Sequence, residues 1–62
     1  MNSQELKLLR NTMRLPYKNN YGATQKEMAD LLGVSLITYS RYERGEKTIS
    51  KPVAMLAEKL KL

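Results

Sequence analysis

Cysteine and histidine are both missing from this 62-residue chain. Without Cys there is no disulfide staple, no thiolate nucleophile and no thiolate metal site. Without His, the commonest general base and the commonest zinc ligand are gone. Asp and Glu together number only six, and no two stand at the spacing of a carboxylate pair or a calcium loop. Long apolar runs are missing too. The longest is the five residues Val53–Ala57, and the others are pairs such as Leu8–Leu9 and Leu31–Leu32, so no segment reads as a membrane span. The polar Asn2, Ser3, Gln4 and Glu5 that follow Met1 do not make a signal peptide, and a cytoplasmic protein is expected. The length predicts one domain, residues 1–62, whose core supplies about 3–5 kcal/mol and leaves nothing over for a deep cleft. An enzyme is not expected, nor a metal or other cofactor.

What the chain has is positive charge. Eleven Lys and Arg give a formal net charge of +5 and a pI of about 9.8. On so small a surface that field attracts polyanions, nucleic acid or an anionic membrane face being the usual targets.

Two clusters of turn-forming residues punctuate the chain, Leu15–Ala23 (LPYKNNYGA) and Gly45–Ser50 (GEKTIS) followed by Pro52, with a smaller break at Gly33-Val34-Ser35. They leave four segments, each of which reads as helix, and nothing alternates with the period of a strand. Helix 1, about residues 3–14, is capped by Asn2 or Ser3 and carries Leu6, Leu9 and Met13 on one face. Helix 2, about 24–32, opens with Thr24-Gln25-Lys26-Glu27, a capping box; its apolar face is Met28, Leu31 and Leu32, and Gly33 ends it. Helix 3, about 35–44, is capped by Ser35. Helix 4, about 50–61, has Ser50 as cap, Pro52 in its first turn and an inward stripe of Val53, Leu56 and Leu60 beside Ala57. The architecture predicted is all-α with four helices.

Helices 2 and 3 are joined by too few residues to lie antiparallel, so they must cross steeply as a helix-turn-helix. Ala29 is small enough for a close crossing, and Val34 plugs the corner. On helix 3, Tyr39 and Tyr42 point inward, while Leu36, Ile37, Ser40, Arg41 and Arg44 are left on the remaining face. That set suits a DNA major groove. Apolar groups meet thymine methyls, Ser takes either hydrogen-bonding role, and Arg reads guanine O6 and N7.

The stretch TQKEMADLLGVSLITYSRYERGE resembles the phage-repressor type of helix-turn-helix, the XRE or Cro/CI family, whose members commonly read TQ-x-ELA-x-x-LGVS-x-x-x-IS-x-x-E-x-G. The match covers Thr24–Gly45; helices 1 and 4 fit more loosely. The resemblance implies a lambda-repressor-like fold and sequence-specific binding of double-stranded DNA as a transcriptional regulator, above all a repressor, acting as a homodimer on a palindromic operator. It implies that Leu36, Ile37, Ser40 and Arg41 face bases and that Gln25 binds a phosphate. It also implies a structural ion pair between Glu43 and Arg10. Lys26, Ser35, Arg44, Lys47 and Thr48 flank the motif as further phosphate ligands, with Lys51 nearby.

Three departures stand out. Tyr39 occupies a position where the family usually has Ile or Val, so its hydroxyl must escape or find an acceptor. The connection between helices 1 and 2 is longer than usual. The fifth helix that contributes to dimerisation in many members is not read here, which leaves the dimer surface open. Plainer readings stand beside the sharp ones. Leu36 and Ile37 also read as core, and Arg41 and Arg44 as solvated charges. Tyr17 and Tyr21 read as an arm touching DNA or a partner, or as a cover folded over the core. Leu8, Met55 and Leu62 fall outside the inward stripes, either as scattered surface residues or as pieces of a dimer patch. An antitoxin-like or adaptor module, binding a protein first and DNA second, is the alternative function.

Overall fold

A computed structural model describes residues 1–60 of the protein and contains four helices: α1 (Ser3–Thr12), α2 (Gln25–Leu32), α3 (Leu36–Glu43) and α4 (Lys51–Leu60). No strand occurs among the described residues. The final residue expected in helix 4, Lys61, and the surface position Leu62 lie outside them. No described helix is long and apolar enough to cross a membrane.

Local chemistry sets the helix starts. Asn2 caps α1 by accepting from the Glu5 backbone N–H at 2.8 Å. The capping box of α2 is complete: Thr24 Oγ1 accepts from Glu27 N at 3.1 Å, and Glu27 Oε1 accepts from Thr24 N at 2.8 Å. Ser35 caps α3 by accepting from Thr38 N at 3.1 Å. Gly33 closes α2 at φ +71°, a left-handed conformation that a side chain would strain.

α1 is two residues shorter than the expected 3–14. Its next turn would need the Arg10 carbonyl, but that oxygen accepts from Ala23 N at 2.9 Å, the far end of the long connection. Gly22 N donates to the Met13 carbonyl at 2.7 Å, and Met13 itself is extended at ψ 134°. The segment after Thr12 is thus a loop closed at its base. Leu15 stands before Pro16, which disfavours a helical conformation there. Met13 is still buried, delivered from extended chain.

α3 packs on both α1 and α2, and α2 also touches α4. Leu6, Met28 and Tyr39 are fully buried at the centre, with Leu9, Leu32, Tyr42, Val53 and Ala57 around them. Full burial of such side chains is worth about 1.5–3 kcal/mol each. Two inward assignments need correction. Leu31 is 43% exposed, and the small Ala29 is turned inward between Met28 and Leu32, which lets α3 approach α2 closely. Leu56 is also 43% exposed. Val53, Ala57 and Leu60 at i, i+4, i+7 set the phase of α4, and Leu56 falls at the margin of that arc.

The long connection holds a further correction. Tyr17 and Tyr21 are 69% and 64% exposed, so neither covers the core. Leu15 and Ala23, near the two ends of the loop, are buried in their place. The Tyr17 hydroxyl donates to Glu27 Oε2 at 2.9 Å, and Lys18 Nζ reaches Glu27 Oε1 at 2.6 Å. Tyr21 lies under the Arg14 guanidinium, 5.4 Å from ring centroid to Cζ. Polar contacts to α2 and to the end of α1 therefore hold the loop.

Candidate nucleic-acid interface

The two tyrosines decide which way α3 faces. With Tyr39 and Tyr42 buried, the opposite side must face solvent. Leu36 is 46% and Ile37 68% exposed, so neither is core. Arg41 and Arg44 are exposed beside them, and Ser40 is half-buried at the edge nearest α2. One helix face thus presents two bare aliphatic side chains, a hydroxyl and two guanidinium groups.

The flanking residues differ in how free they are. Lys26, in the first turn of α2, is exposed. Lys47 and Thr48 are exposed in the α3–α4 connection, with Lys47 Nζ 6.0 Å from the Tyr42 ring centroid. Arg44 pairs with Glu46 at 2.9 Å, both side chains more than half exposed; such a pair is weak and yields readily to a better anion. The Ser35 hydroxyl is committed twice within its cap, accepting from Thr38 N and donating to Thr38 Oγ1 at 2.9 Å. Its backbone still marks the N-terminal end of α3, which favours an anion.

Beneath this face runs a polar network that the spacing of the residues does not advertise. Arg10 grips Glu43 through two donors, Nε to Oε2 at 2.6 Å and Nη2 to Oε1 at 3.2 Å. Its Nη1 donates to the Ala23 carbonyl at 3.2 Å. Gln25 Nε2 donates to Glu43 Oε1 at 3.1 Å, and Gln25 Oε1 accepts from the Ser40 hydroxyl at 3.2 Å. Gln25, expected on the resemblance to serve a phosphate, therefore also bridges α2 to α3. Its second amide hydrogen has no partner among the described residues.

Burial alone would push the Glu43 carboxyl up, but the donors around it, Arg10 foremost, hold it below its usual range. The same pairing raises Arg10. The Tyr39 hydroxyl is buried close enough to feel both groups, yet it makes no hydrogen bond of good geometry to either. Its phenol is pushed well up, by burial first and by the Glu43 carboxylate second. Burial rules out escape, and the acceptor within reach is the Glu43 carboxylate, which acts on the hydroxyl without a hydrogen bond of good geometry.

Sequence reasoning missed the Gln25–Ser40 bond and the Lys18–Glu27–Tyr17 cluster. Neither has a local signature, since both join segments whose proximity the tertiary fold creates.

A family model described as Helix-turn-helix matches residues 17–60, well over half of the chain. No curated protein and no solved structure matches.

Proposed function

Because the chain belongs to the Cro/CI-type (XRE) helix-turn-helix family, a family of DNA-binding domains that are not enzymes and have the lambda-repressor-like fold, we propose that it is a transcriptional repressor. In this reading residues 1–62 act as one domain, and two copies bind a palindromic operator. α3 enters the major groove of each half-site, and α2 lies across the backbone. Leu36, Ile37, Ser40 and Arg41 read bases. Gln25, Lys26, Arg44, Lys47, Thr48 and the Ser35 end of α3 hold phosphates.

The observation that carries this reading is the outward face of α3. Ile37, 68% exposed, stands one turn before Arg41. An aliphatic group bared beside a guanidinium gains nothing in water, whereas a groove offers both a methyl and a guanine edge. One domain makes few base contacts, so useful specificity needs a second copy. The exposed Leu8 and Met55 supply apolar surface for that association.

The test is a selection from random-sequence duplex DNA at near-physiological salt, with Arg41→Ala alongside. A two-fold symmetric site that changes in the variant supports the reading, with Arg41→Ala losing about 1–3 kcal/mol of specific binding. Equal loss on specific and random DNA would make Arg41 a phosphate contact. No enriched site would overturn the repressor.

A second reading, an antitoxin-like or adaptor module, is favoured by one feature. On α4, Pro52, Met55 and Leu56 line a shallow apolar groove flanked by Lys51 and Lys59, a surface suited to an acidic protein segment. Loss of regulation on Met55→Ser with DNA binding intact supports it.

A further inference from the structure

The network behind the recognition helix has a direction, imposed by the residue that can only accept. An ionised Glu43 has no proton to give, and Arg10 has only protons to give. With Arg10 on both carboxylate oxygens, the Gln25 amide must turn its NH2 toward Glu43 Oε1, where Nε2 lies at 3.1 Å. Its carbonyl oxygen is then the end left for Ser40, and the Ser40 hydroxyl supplies the one proton it has to that oxygen at 3.2 Å. What Ser40 retains on its remaining side is lone pairs.

A serine hydroxyl ordinarily serves either hydrogen-bonding role at a base edge. Here one role is already taken. We infer that Glu43, acting through Gln25, fixes the Ser40 hydroxyl as an acceptor toward DNA, so that Ser40 selects a base presenting an amino group in the major groove, adenine N6 or cytosine N4. Guanine and thymine offer O6 and O4 at that point, and a lone pair facing a carbonyl oxygen repels it. The inference rests on the proposed placement of α3 in the major groove. Glu43 and Gln25 touch no base in this scheme; they are positioning residues that set the sense in which Ser40 reads.

The polarity can be reversed without removing a side chain. In Glu43→Gln the new amide keeps its oxygen on Arg10 Nε and offers its NH2 to Gln25, giving up the longer hydrogen bond from Arg10 Nη2. Gln25 then turns its own oxygen toward residue 43 and its NH2 toward Ser40, whose proton is released to point outward. In Gln25→Met the hydroxyl loses the acceptor that held its proton and serves both roles again.

The experiment is the random-duplex selection run on wild type, Ser40→Ala, Gln25→Met and Glu43→Gln, each first checked to be folded at the binding temperature by circular dichroism. Ser40→Ala identifies the base pair that Ser40 reads. At that pair wild type prefers A or C over G or T on one strand by about tenfold. Gln25→Met brings the preference to within about twofold, and Glu43→Gln moves it toward G or T on the same strand. Replacing the selected adenine by purine, or the selected cytosine by its analogue lacking the 4-amino group, weakens wild type and leaves Ser40→Ala unchanged. A preference at that pair that survives in both Gln25→Met and Glu43→Gln overturns the inference while leaving the DNA-binding reading intact. A Ser40→Ala site identical to wild type overturns it as well. Absence of any enriched site for wild type overturns the placement of α3, and the polarity of Ser40 falls with it.

Discussion

Arg10 and Glu43 stand 33 positions apart in the chain and meet through two hydrogen bonds, the shorter 2.6 Å. The pair joins the end of α1 to the end of α3, and its members are unequally covered: the Arg10 side chain is 22% exposed, that of Glu43 only 3%. The two halves of the pair are therefore not equivalent in energy. Removing the arginine strands a buried carboxylate, whereas neutralising the carboxylate leaves an arginine that still reaches the Ala23 carbonyl and solvent.

Arg10→Met is accordingly expected to cost about 3 kcal/mol, the low end of the range for broken buried pairs because Arg10 is partly hydrated. Glu43→Gln, which keeps the shorter hydrogen bond from Arg10 Nε, is expected to cost about 1 kcal/mol. Urea denaturation midpoints of the two variants measure the difference. Equal losses would mean that water reaches Glu43 once Arg10 is gone.

A second carboxylate adds to acid sensitivity. Lys18 above all, then the Thr24 backbone N–H and the Tyr17 hydroxyl, hold Glu27 down from 4.5 to about 2. The folded state thus releases this proton more readily than the unfolded chain. The stabilisation is complete above the unfolded value and is lost as pH falls from about 4.5 through about 2. Glu43 is lowered as well and adds in the same direction. The melting temperature should drop across this window, and Lys18→Met should flatten the drop. An unchanged slope would assign the acid sensitivity to Glu43 alone.

Gly22 closes the long loop at φ +102°. A Cβ there would meet only the Asn11 carbonyl at 3.5 Å, an ordinary contact, so the penalty for Gly22→Ala comes from backbone strain. It should amount to about 1–2 kcal/mol, read as a lowered thermal midpoint. Lost protection of the Ala23 amide in hydrogen exchange would locate the damage at the base of the loop, where that N–H donates to the Arg10 carbonyl.

Tyr39 carries a buried hydroxyl without a hydrogen-bond partner. Deleting it in Tyr39→Phe removes a buried polar group offset only by the nearby Glu43 carboxylate and leaves the ring's packing untouched, so stability should rise by about 1 kcal/mol. Thermal melts of the two proteins decide this. A fall would mean that the hydroxyl turns to Glu43 or Arg10 in solution and is part of the network.

Sequence by itself determined most of what depends on neighbours within one turn. The Thr24–Glu27 box, the Ser35 cap, the left-handed Gly33 and the four helical segments follow from residue types three or four positions apart. The motif spanning Thr24–Gly45 carried the family. The outward face of α3 was also legible, because two large aromatic residues at i, i+3 leave only one side for solvent. Tertiary structure decided what depends on partners distant in the chain. α1 stops at Thr12 because Ala23 takes the Arg10 carbonyl that another turn would need. Leu31 and Leu56 are left half-exposed while the smaller Ala29 and Ala57 are buried at the helix contacts. The orientation of the Gln25 amide, and with it the sense in which Ser40 offers its hydroxyl, follows only once α1 has brought Arg10 to Glu43. Periodicity tells which face a side chain occupies; the direction of a hydrogen bond is set by whichever partner has no choice, and folding is what supplies that partner.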